Sequence, residues 1–539
     1  MRRALQLIAA VPLALLGACG GGGGGGGGGG TVPTPPAYSS VTLVQVSKPS
    51  AFAPGCDGVA STGTLYTDTA AEPSVVVNPA NPMNVIAGWQ QNRWSDGGSQ
   101  GLNLAASFDG GHTWTAASAA FSRCTGGGAG NAGDYARASD VWLTASPDGT
   151  VYALSLSFTG ALQSPGSASG MLVAQSVDGG LDWGAPVALI ADTDAFFDDK
   201  GSITADPADS NYVYAVWDRL SGSSAGPSYL ALTADGGATW EAARSIYDPG
   251  PANQTLGNQI AVLPSSTVLD LFTELDESGA GTTTALARVV QSGDHGSTWS
   301  PAPVTIADLE PVGTEDPRTG QGVRDGSDIV SVSVAPGGVI YVAWQDSRFA
   351  GGAHDGIALA HSADGGATWS APIEVNGDPA VQAFTPTVHV DASGTIAVSY
   401  YDLRNDVFAP FGELLADAWI VTSSDGSNFT EAHLSGPFDM DLAPDSGGLF
   451  VGDYEALASV TGALPFYAQT DPTAATVRSD AFMAFPPAAA AAAARAGVTT
   501  PVGPLRAQLA PPAFTLPAAV RARIGARIEQ RRIERRREP

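Results

Sequence analysis

Arginine recurs at one position of a repeated pattern, in a sequence whose central region has few cations. Each of four arginines follows an apolar stretch that contains an aromatic residue near its end. The four are Arg93, Arg219, Arg348 and Arg404. A guanidinium fork matches a carboxylate with two parallel hydrogen bonds and keeps its charge, so these side chains have the chemistry to bind an anionic ligand. The alternative is that each pairs with an Asp of its own repeat, for which Asp218, Asp346 and Asp402 are available.

Carboxylates and a tyrosine lie where the chain passes between repeats or enters the last one. Asp134 is part of Gly133-Asp134-Tyr135, and Tyr454 stands between Asp453 and Glu455. Carboxyl and phenol groups can transfer protons or form covalent intermediates, so these residue types are able to take part in acid–base or nucleophilic chemistry. Because neighbours in a strand point to opposite faces, at most one flanking carboxylate lies near the Tyr454 phenol.

A turn sequence that occurs six times positions these residues. Its pattern, Ser/Thr-x-Asp-x-Gly-x-Thr-Trp, suits a hairpin turn: Asp and the hydroxyl bond turn amides, Gly supplies a positive-φ corner and Trp packs between sheets. The copies are SFDGGHTW from Ser107, SVDGGLDW from Ser176, TADGGATW from Thr233, SGDHGSTW from Ser292, SADGGATW from Ser362 and the shorter SSDGSNF from Ser423. They start 69, 57, 59, 70 and 61 residues apart. Such a period indicates a radial repeat rather than separate domains.

Pairs of apolar strands precede these turns and predict meanders of the kind that form propeller blades. GSITADPADSNYVYAVWDR from Gly201 is a clear example, and seven such pairs accompany the six turns. A ring closes without free edges when one blade takes strands from both chain ends, and 41–46 can supply the outer strand that unit 449–486 lacks. We therefore expect an all-β propeller of seven four-stranded antiparallel blades. In the six-blade alternative, 449–486 is an accessory hairpin.

The repeated turn is similar to the Asp box of the sialidase-like β-propeller superfamily, and the resemblance extends over most of the chain. It implies that arginines from different blades grip a substrate carboxylate, which is the role we expect for the four arginines. It also implies a tyrosine nucleophile beside a carboxylate, here Tyr454 with Asp453, and an acid Asp, here Asp134. The chain lacks the family's Arg-Ile-Pro-like motif, and Asp boxes also occur in propellers that are not sialidases. The resemblance therefore addresses the fold more directly than the reaction.

Composition and charge indicate an exported all-β protein and exclude one class of partner. Gly at 67 and Pro at 38 residues suit a turn-rich fold, and 44% hydrophobic residues provide a large core. The chain carries a formal −28; two leader arginines give +2, and ten Arg against three Glu give +7 to residues 495–539, so the remainder carries −37. This acidic body repels nucleic acid and anionic membranes.

The N-terminus is typical of a bacterial lipoprotein signal. Two arginines precede the apolar run 4–16, and Leu16-Gly17-Ala18-Cys19 resembles a lipobox, in which Cys19 is acylated. The alternative is a secretory signal cleaved near Ala18. We expect a signal over 1–19, a Gly/Pro-rich tether over 20–37, the propeller over 38–486 and a linker with an Arg-rich tail over 487–539. The protein is then exported and lipid-anchored in the cell envelope, at the outer membrane because Gly20 replaces a retention Asp.

Two cysteines remain once Cys19 is lipidated. An even remainder in an exported protein predicts a disulfide between Cys56 and Cys124; the alternative is two unpaired thiols. Neither cysteine has the spacing of a metal site, and no cofactor is expected. The acidic segments 325–328 and 439–441 nevertheless offer the oxygen ligands that calcium prefers.

The C-terminal tail has a helical pattern. Val520, Ile524 and Ile528 repeat every four residues among arginines, which predicts a basic amphipathic helix. This helix contacts anionic lipid or the acidic ring, or else the tail is solvated and partly disordered.

Two functional classes follow from these sequence features. The first is a cell-surface glycosidase of exo-sialidase type, which requires at least three arginines without partners in their own blades and aimed at one point. The second is a non-catalytic propeller that binds a glycan or a surface protein, or serves as an envelope scaffold. In both cases we expect a monomer that contacts the membrane only through its lipid anchor.

Overall fold

Strands dominate the regular structure of the described part of the chain, which contains thirty β-strands and one α-helix. The computed structural model describes residues 38, 41–59, 63–222, 225–278, 282–408, 412–471, 473–474, 476–486 and 516–535. Short 3-10 helices lie in the connections at Arg123–Thr125, Arg348–Ala350, Asp406–Phe408 and Met440–Leu442. The chain is therefore all-β, as predicted.

The strands form successive antiparallel meanders of four strands. Strand β1 (Thr42–Gln45) stands apart from them in sequence. The first two meanders are β2 (Leu65–Val77), β3 (Val85–Trp94), β4 (Ser99–Ser107) and β5 (Thr115–Ala117), then β6 (Arg137–Ala145), β7 (Val151–Thr159), β8 (Ala168–Ser176) and β9 (Val187–Thr193). The next two are β10 (Phe196–Ala205), β11 (Val213–Ser221), β12 (Ser228–Thr233) and β13 (Arg244–Tyr247), then β14 (Gln254–Val262), β15 (Val268–Ser278), β16 (Thr282–Ser292) and β17 (Val304–Leu309).

The second half of the chain continues the pattern. After the short β18 (Val323–Arg324) come β19 (Ser331–Val334), β20 (Ile340–Asp346), β21 (Gly356–Ser362) and β22 (Ile373–Glu374), then β23 (Ala383–Val390), β24 (Ile396–Asp402), β25 (Leu415–Ser423) and β26 (Thr430–Asp439). The last strands are β27 (Leu449–Phe450), β28 (Ala456–Ser459), β29 (Ala463–Thr470) and β30 (Ser479–Phe485). Strand β27 pairs in parallel with β18. Strands β28, β29 and β30 form a three-stranded antiparallel meander.

Strand β1 supplies the fourth strand of the last meander. It pairs antiparallel with β30 in a register that places Thr42 opposite Phe485 and Gln45 opposite Phe482. The predicted pairing of segment 41–46 with the last unit is thus confirmed. Single pairings, Thr69 with Ser479 and Ser99 with Ala138, join the last, first and second meanders into one twelve-stranded sheet.

The first strands of the meanders contact one another in a closed cycle. Strand β2 contacts β6, and the contacts then run through β10, β14, β19, β23 and β28 back to β2. We call these the inner strands. The core lies between adjacent meanders, where the large side chains Trp217 and Trp344 are fully buried. Positions on the inner strands are therefore brought together although they are far apart in sequence.

Each repeated turn connects the third and fourth strands of a meander and is held by its own polar groups. In the first copy, Asp109 accepts hydrogen bonds from the Thr113 amide at 2.8 Å and the Thr113 hydroxyl at 2.7 Å. Ser107 Oγ accepts the Gly111 amide at 2.9 Å, and Trp114 Nε1 donates to the Gly111 carbonyl at 2.8 Å. These bonds satisfy turn amides that no strand pairs, as the sequence predicted.

The C-terminal helix α1 (Ala518–Arg535) packs on the strand β16. Its apolar residues Ile524 and Ile528, together with Leu516 before it, are buried in the core formed by β14 to β17 and β19 to β21. The predicted helix is therefore present and lies against the acidic body. In the part of the chain that the structure describes, no helix has the length and apolar character needed to cross a membrane.

Candidate functional site

Five inner strands contain a bulge at which one residue has a left-handed backbone. The pairing register with the second strand shifts at each of these points. The left-handed residues are Glu72, Asp140, Lys200, Gly257 and Thr385, with φ between 44° and 64°. A bulge bends its strand and redirects a side chain. Because positive φ is unfavourable for residues with a Cβ, surrounding contacts must hold these conformations.

Three of these side chains meet in a buried charge cluster. Lys200 Nζ lies 2.6 Å from Asp453 Oδ2, 3.3 Å from Glu72 Oε1 and 3.7 Å from Asp140 Oδ1. Arg324 adds a second cation, because its Nε and Nη2 donate to Asp453 at 3.0 and 2.7 Å. We call Glu72, Asp140, Lys200 and Asp453 the lysine cluster.

The charges of the lysine cluster are set by burial and by one another. Burial raises the pKa of Glu72 to about 7, although the Lys200 ammonium opposes this effect. Burial lowers the pKa of Lys200, but the surrounding carboxylates outweigh it and the pKa lies above its usual value. Lys200 therefore keeps its proton and acts as a fixed cation rather than a general base.

Tyr454 lines a central cavity of about 150 Å³, whose other lining residues come mainly from β2, β6, β14, β19, β23 and β28. Among the described residues, its hydroxyl and both carboxylate oxygens of Glu455 are buried without a hydrogen-bond partner. Burial raises the pKa of Tyr454 and of Glu455 well above their usual values, and nearby carboxylates of the lysine cluster raise that of Tyr454 further. Tyr454 is a neutral phenol, which is the opposite of an activated nucleophile.

Asp134, the candidate acid, makes its ion pair in a connection outside the lysine cluster. Its Oδ1 lies 2.7 Å from Arg123 Nε, and its side chain is half exposed. Asp453, in contrast, is buried between Lys200 and Arg324. The structure thus brings Asp453 and Tyr454 together with the lysine cluster and places the described contact of Asp134 elsewhere.

Two of the four predicted arginines pair with the Asp of their own meander. Arg348 Nη2 lies 2.7 Å from Asp346 Oδ2, and Arg404 Nε lies 2.6 Å from Asp402 Oδ2. Arg404 also forms two bonds with Glu431, at 2.8 and 2.7 Å, and its guanidinium stacks 3.5 Å from the Trp419 ring. The pairing within one repeat, which the sequence left as the alternative, occurs at both positions.

Arg219 pairs with a different carboxylate from the one beside it. Its Nε and Nη2 donate to Asp192 of the preceding meander, both at 2.6 Å. Its guanidinium also lies 3.6 Å from the Phe196 ring. The arginine and Asp218 are adjacent in β11, so their side chains point to opposite faces. Arg219 thereby links two meanders.

Arg93 lies close to the lysine cluster. Its Nη1 donates to Gln90 at 2.7 Å, and Gln90 Nε2 in turn donates to Glu72. Its guanidinium carbon lies 4.4 Å from the centroid of the Phe450 ring, while that of Arg324 lies 4.6 Å from the same ring. Arg93 of β3 and Arg324 of β18 are therefore two cations that contact the same aromatic ring, that of Phe450.

A second cavity, of about 210 Å³, lies between α1 and residues 312–315, 322–326, 447 and 453. We call it the α1 cavity. Three guanidinium groups and three carboxylates line it, from Arg324, Arg527, Arg531, Glu315, Asp325 and Asp453. Gly326 and Asp453 line both cavities, so Asp453 of the lysine cluster lies between the α1 cavity and the central one.

The remaining predicted positions have mixed outcomes. Cys56 and Cys124 form a disulfide bond, as predicted. Cys19, the predicted lipidation site, lies outside the described residues. Among the described residues no group of three or more His, Cys, Asp or Glu is arranged to hold a metal ion. In the two acidic segments, Asp439 accepts from the Leu414 amide, and Asp325 from the amides of Thr314 and Ser327.

No family profile and no curated protein matches the sequence. Solved structures with a similar arrangement include a protein of unknown function from Dyadobacter fermentans, 14% identical, covering 82% of this chain and 96% of its own at a TM-score of 0.43. The Penicillium chrysogenum α-L-arabinanase complexed with arabinobiose is 15% identical. The alignment covers 67% of this chain and 94% of the arabinanase chain, with a TM-score of 0.43. The NanB sialidase from Streptococcus pneumoniae is 9% identical. The alignment covers 80% of this chain and 96% of the sialidase chain, with a TM-score of 0.43.

Sequence reasoning did not identify Lys200, Glu72 or Arg324 as members of one site. One signal was present: Lys200 and Lys48 are the two lysines of the whole sequence, and Lys200 follows two Asp residues in an acidic body. The sequence predicts Arg527 and Arg531 to lie in a tail helix and does not place them in a cavity. Their role depends on where α1 packs, which no local pattern encodes.

Proposed function

We propose that this chain is a seven-bladed β-propeller that binds a neutral sugar in the α1 cavity. The seven-blade arrangement is supported by the closed cycle of inner strands and by the pairing of β1 with β30. Strands from both chain ends then complete one blade, which removes the free edge that an open ring would expose.

The observation that carries the binding proposal is the mixed charge of the α1 cavity. Arg324, Arg527 and Arg531 face it beside the carboxylates of Glu315, Asp325 and Asp453. A sugar hydroxyl both donates and accepts hydrogen bonds, so adjacent hydroxyls can bond a carboxylate and a guanidinium at once. The volume of about 210 Å³ is below the roughly 300–1,000 Å³ of pockets for drug-sized ligands and suits a single sugar unit.

A neutral sugar fits this cavity better than a sialoside. Arg324 already holds Asp453 with two bonds, and Arg531 holds Asp328 with bonds of 2.9 and 3.3 Å. An anionic ligand would have to replace these carboxylates and leave them unpaired near its own charge, whereas hydroxyl groups leave the ion pairs in place. Anionic-ligand binding by the four arginines stays the alternative prediction.

Hydrolysis of the exo-sialidase type is not part of the proposal. It would require an accessible, activated Tyr454 with Asp453 and Asp134 as partners. The Tyr454 hydroxyl is buried and its pKa is raised, and Asp134 pairs with Arg123. Binding without turnover needs none of these groups to react. We also propose that Cys19 is lipidated and anchors the ring to the cell envelope.

A glycan array that carries neutral and sialylated oligosaccharides tests the proposal on the full chain. Arg527 lines the cavity, donates to the Val312 carbonyl and pairs with Glu315 at 3.2 Å. We expect binding to neutral glycans and a loss of about tenfold, or 1.4 kcal/mol, in Arg527→Ala. Arg523→Ala is the matched control, because Arg523 is an exposed arginine of the same helix. No binding by the unmodified chain, or binding to sialylated glycans alone, would contradict the proposal.

A further inference from the structure

The helix α1 supplies one wall of the α1 cavity, and it is held to the ring by two kinds of contact. Ile524, Ile528 and Leu516 are buried in the ring's core, and Val520 packs against it. On the polar side, Arg531 Nη2 donates to Asp328 Oδ1 at 2.9 Å, and the Asp328 side chain is fully buried. Thr283 Oγ1 donates to Glu529 at 2.7 Å.

The sequence of α1 does not favour a helix that stands alone. Gly525 occupies its interior, no acidic residue stands in its first turn, and arginines crowd its surface. Isolated helices shorter than about 12–15 residues are marginal in water, and α1, with 18 residues, is only a little longer and contains a Gly that lowers its helix propensity. Packing of its apolar residues on the ring therefore supplies most of the stability of α1, and we expect release of α1 from the ring to favour its unfolding.

Three residues of α1 face the cavity: Arg527, Gln530 and Arg531. If α1 is released, the cavity loses this wall and every guanidinium except that of Arg324. We propose that α1 is a clamp whose docking is coupled to sugar binding in the α1 cavity. The inference rests on the proposed function and adds that the tail helix completes the site. By linkage, a ligand that binds the docked state more tightly than the released state stabilises docking by the same factor by which docking improves its affinity.

Hydrogen exchange of the full chain measures α1 docking directly, with or without ligand. We expect Arg531→Ala to speed exchange of the amides in 518–535 at least tenfold, while the inner strands stay protected. Asp328→Asn removes the negative charge and one of the two acceptor oxygens of the same contact, so it should have a smaller effect in the same direction. Arg523→Ala is the control and should leave exchange unchanged. An Arg531→Ala chain in which α1 exchanges at the original rate would overturn the clamp.

The same exchange experiment is then repeated with the neutral oligosaccharide that gives the strongest signal on the glycan array. This oligosaccharide should slow α1 exchange in the unmodified chain and bind Arg531→Ala about tenfold more weakly, within the usual 5- to 150-fold range of coupling. Sugar binding without any change in α1 exchange would overturn the clamp and leave the proposed function standing. Faster α1 exchange with sugar would mean that α1 blocks the cavity, which also overturns the clamp. Absence of sugar binding to the unmodified chain would overturn both.

Discussion

The ammonium of Lys200 lies 2.6 Å from a carboxylate oxygen of Asp453, a residue 253 positions away in the sequence. Lys200 belongs to the inner strand of the third meander, whereas Asp453 lies three residues before the start of the inner strand of the last meander. Glu72 and Asp140, from the first two meanders, complete the ion contacts. The lysine cluster thus links both ends of the strand cycle through one cation, and its integrity reports on closure of the ring.

Replacement of Lys200 by Met should lower the free energy of unfolding by about 3–5 kcal/mol, since it leaves buried carboxylates without their shared cation. Lys48→Met is the matched control: Lys48 is the other lysine of the sequence and is exposed, so its replacement should change stability by less than about 0.5 kcal/mol. Chemical denaturation of both variants measures the difference. Equal stability of the two would show that the lysine cluster does not hold the ring together.

Repetition made the architecture predictable from sequence. The six turns, the strand pairs, the closing strand β1 and the disulfide all follow from spacing, alternation and the count of cysteines. The turns in particular carry their own hydrogen-bond partners within eight residues, as Asp109 does. Local structure of this kind requires no knowledge of distant parts of the chain.

The candidate site was less predictable because its residues depend on backbone irregularities and distant packing. Strand alternation cannot place Glu72 or Lys200, since both have left-handed backbones at bulges. The arginines show the same limit. Arg348 and Arg404 follow their Asp by two residues beyond a strand end and turn back to it, but Arg219 follows Asp218 directly inside a strand and reaches Asp192 instead.

Asp198→Asn should change the pH dependence of stability. Burial, followed by the nearby Asp192, raises the pKa of Asp198 from 3.8 to about 7. Between these values the folded state holds a proton that the unfolded state has released, so rising pH destabilises the fold by at most about 1.4 kcal/mol per pH unit. The amide of Asn does not titrate, so the variant lacks this proton uptake, and its oxygen can still accept the hydrogen bond from Trp217 Nε1.

We therefore expect Asp198→Asn to gain stability relative to the unmodified chain as pH rises from about 4 to 7. Urea denaturation at several pH values measures this difference. Ser202→Ala, a change in the same strand without a titratable group, controls for general destabilisation and should give a constant offset. A constant offset for Asp198→Asn as well would show that the carboxyl has the same pKa in both states.

Loss of the Cys56–Cys124 disulfide should destabilise the ring. The bond closes a sequence separation of 68 residues between the segment before β2 and the connection after β5. The disulfide restricts the unfolded chain, so its loss typically lowers the free energy of unfolding by about 2–4 kcal/mol. The double variant Cys56→Ser/Cys124→Ser should show this loss in denaturation, and reducing agent should have no further effect on it. Alkylation of both thiols in the unreduced, denatured protein would refute the bond.

Replacement of Cys19 by Ser should release the protein from membranes. Acylation of a lipobox cysteine is the expected anchor, and the acidic body has no electrostatic attraction to an anionic surface. Fractionation of cells that express the Cys19→Ser chain should recover it in the soluble fraction, folded and with its disulfide. Cys56→Ser is the control and should stay with the membranes. Retention of the Cys19→Ser chain on membranes would point to another anchor.

Arg404→Ala should destabilise the fold without changing sugar binding, which is the reverse of the expectation for Arg527→Ala. Arg404 holds Asp402, whose side chain is 1% exposed, and both oxygens of Glu431. Removal of the guanidinium leaves a buried carboxylate unpaired and should cost about 3–5 kcal/mol. Arg404→Lys keeps the charge but cannot bond both carboxylates in the same way. Its stability should therefore lie between those of the unmodified chain and Arg404→Ala. Thermal scans and the glycan array separate the effects. If Arg404→Ala instead keeps its melting temperature and loses ligand, then Arg404 is a ligand-binding arginine, as the resemblance to sialidase-like propellers implied.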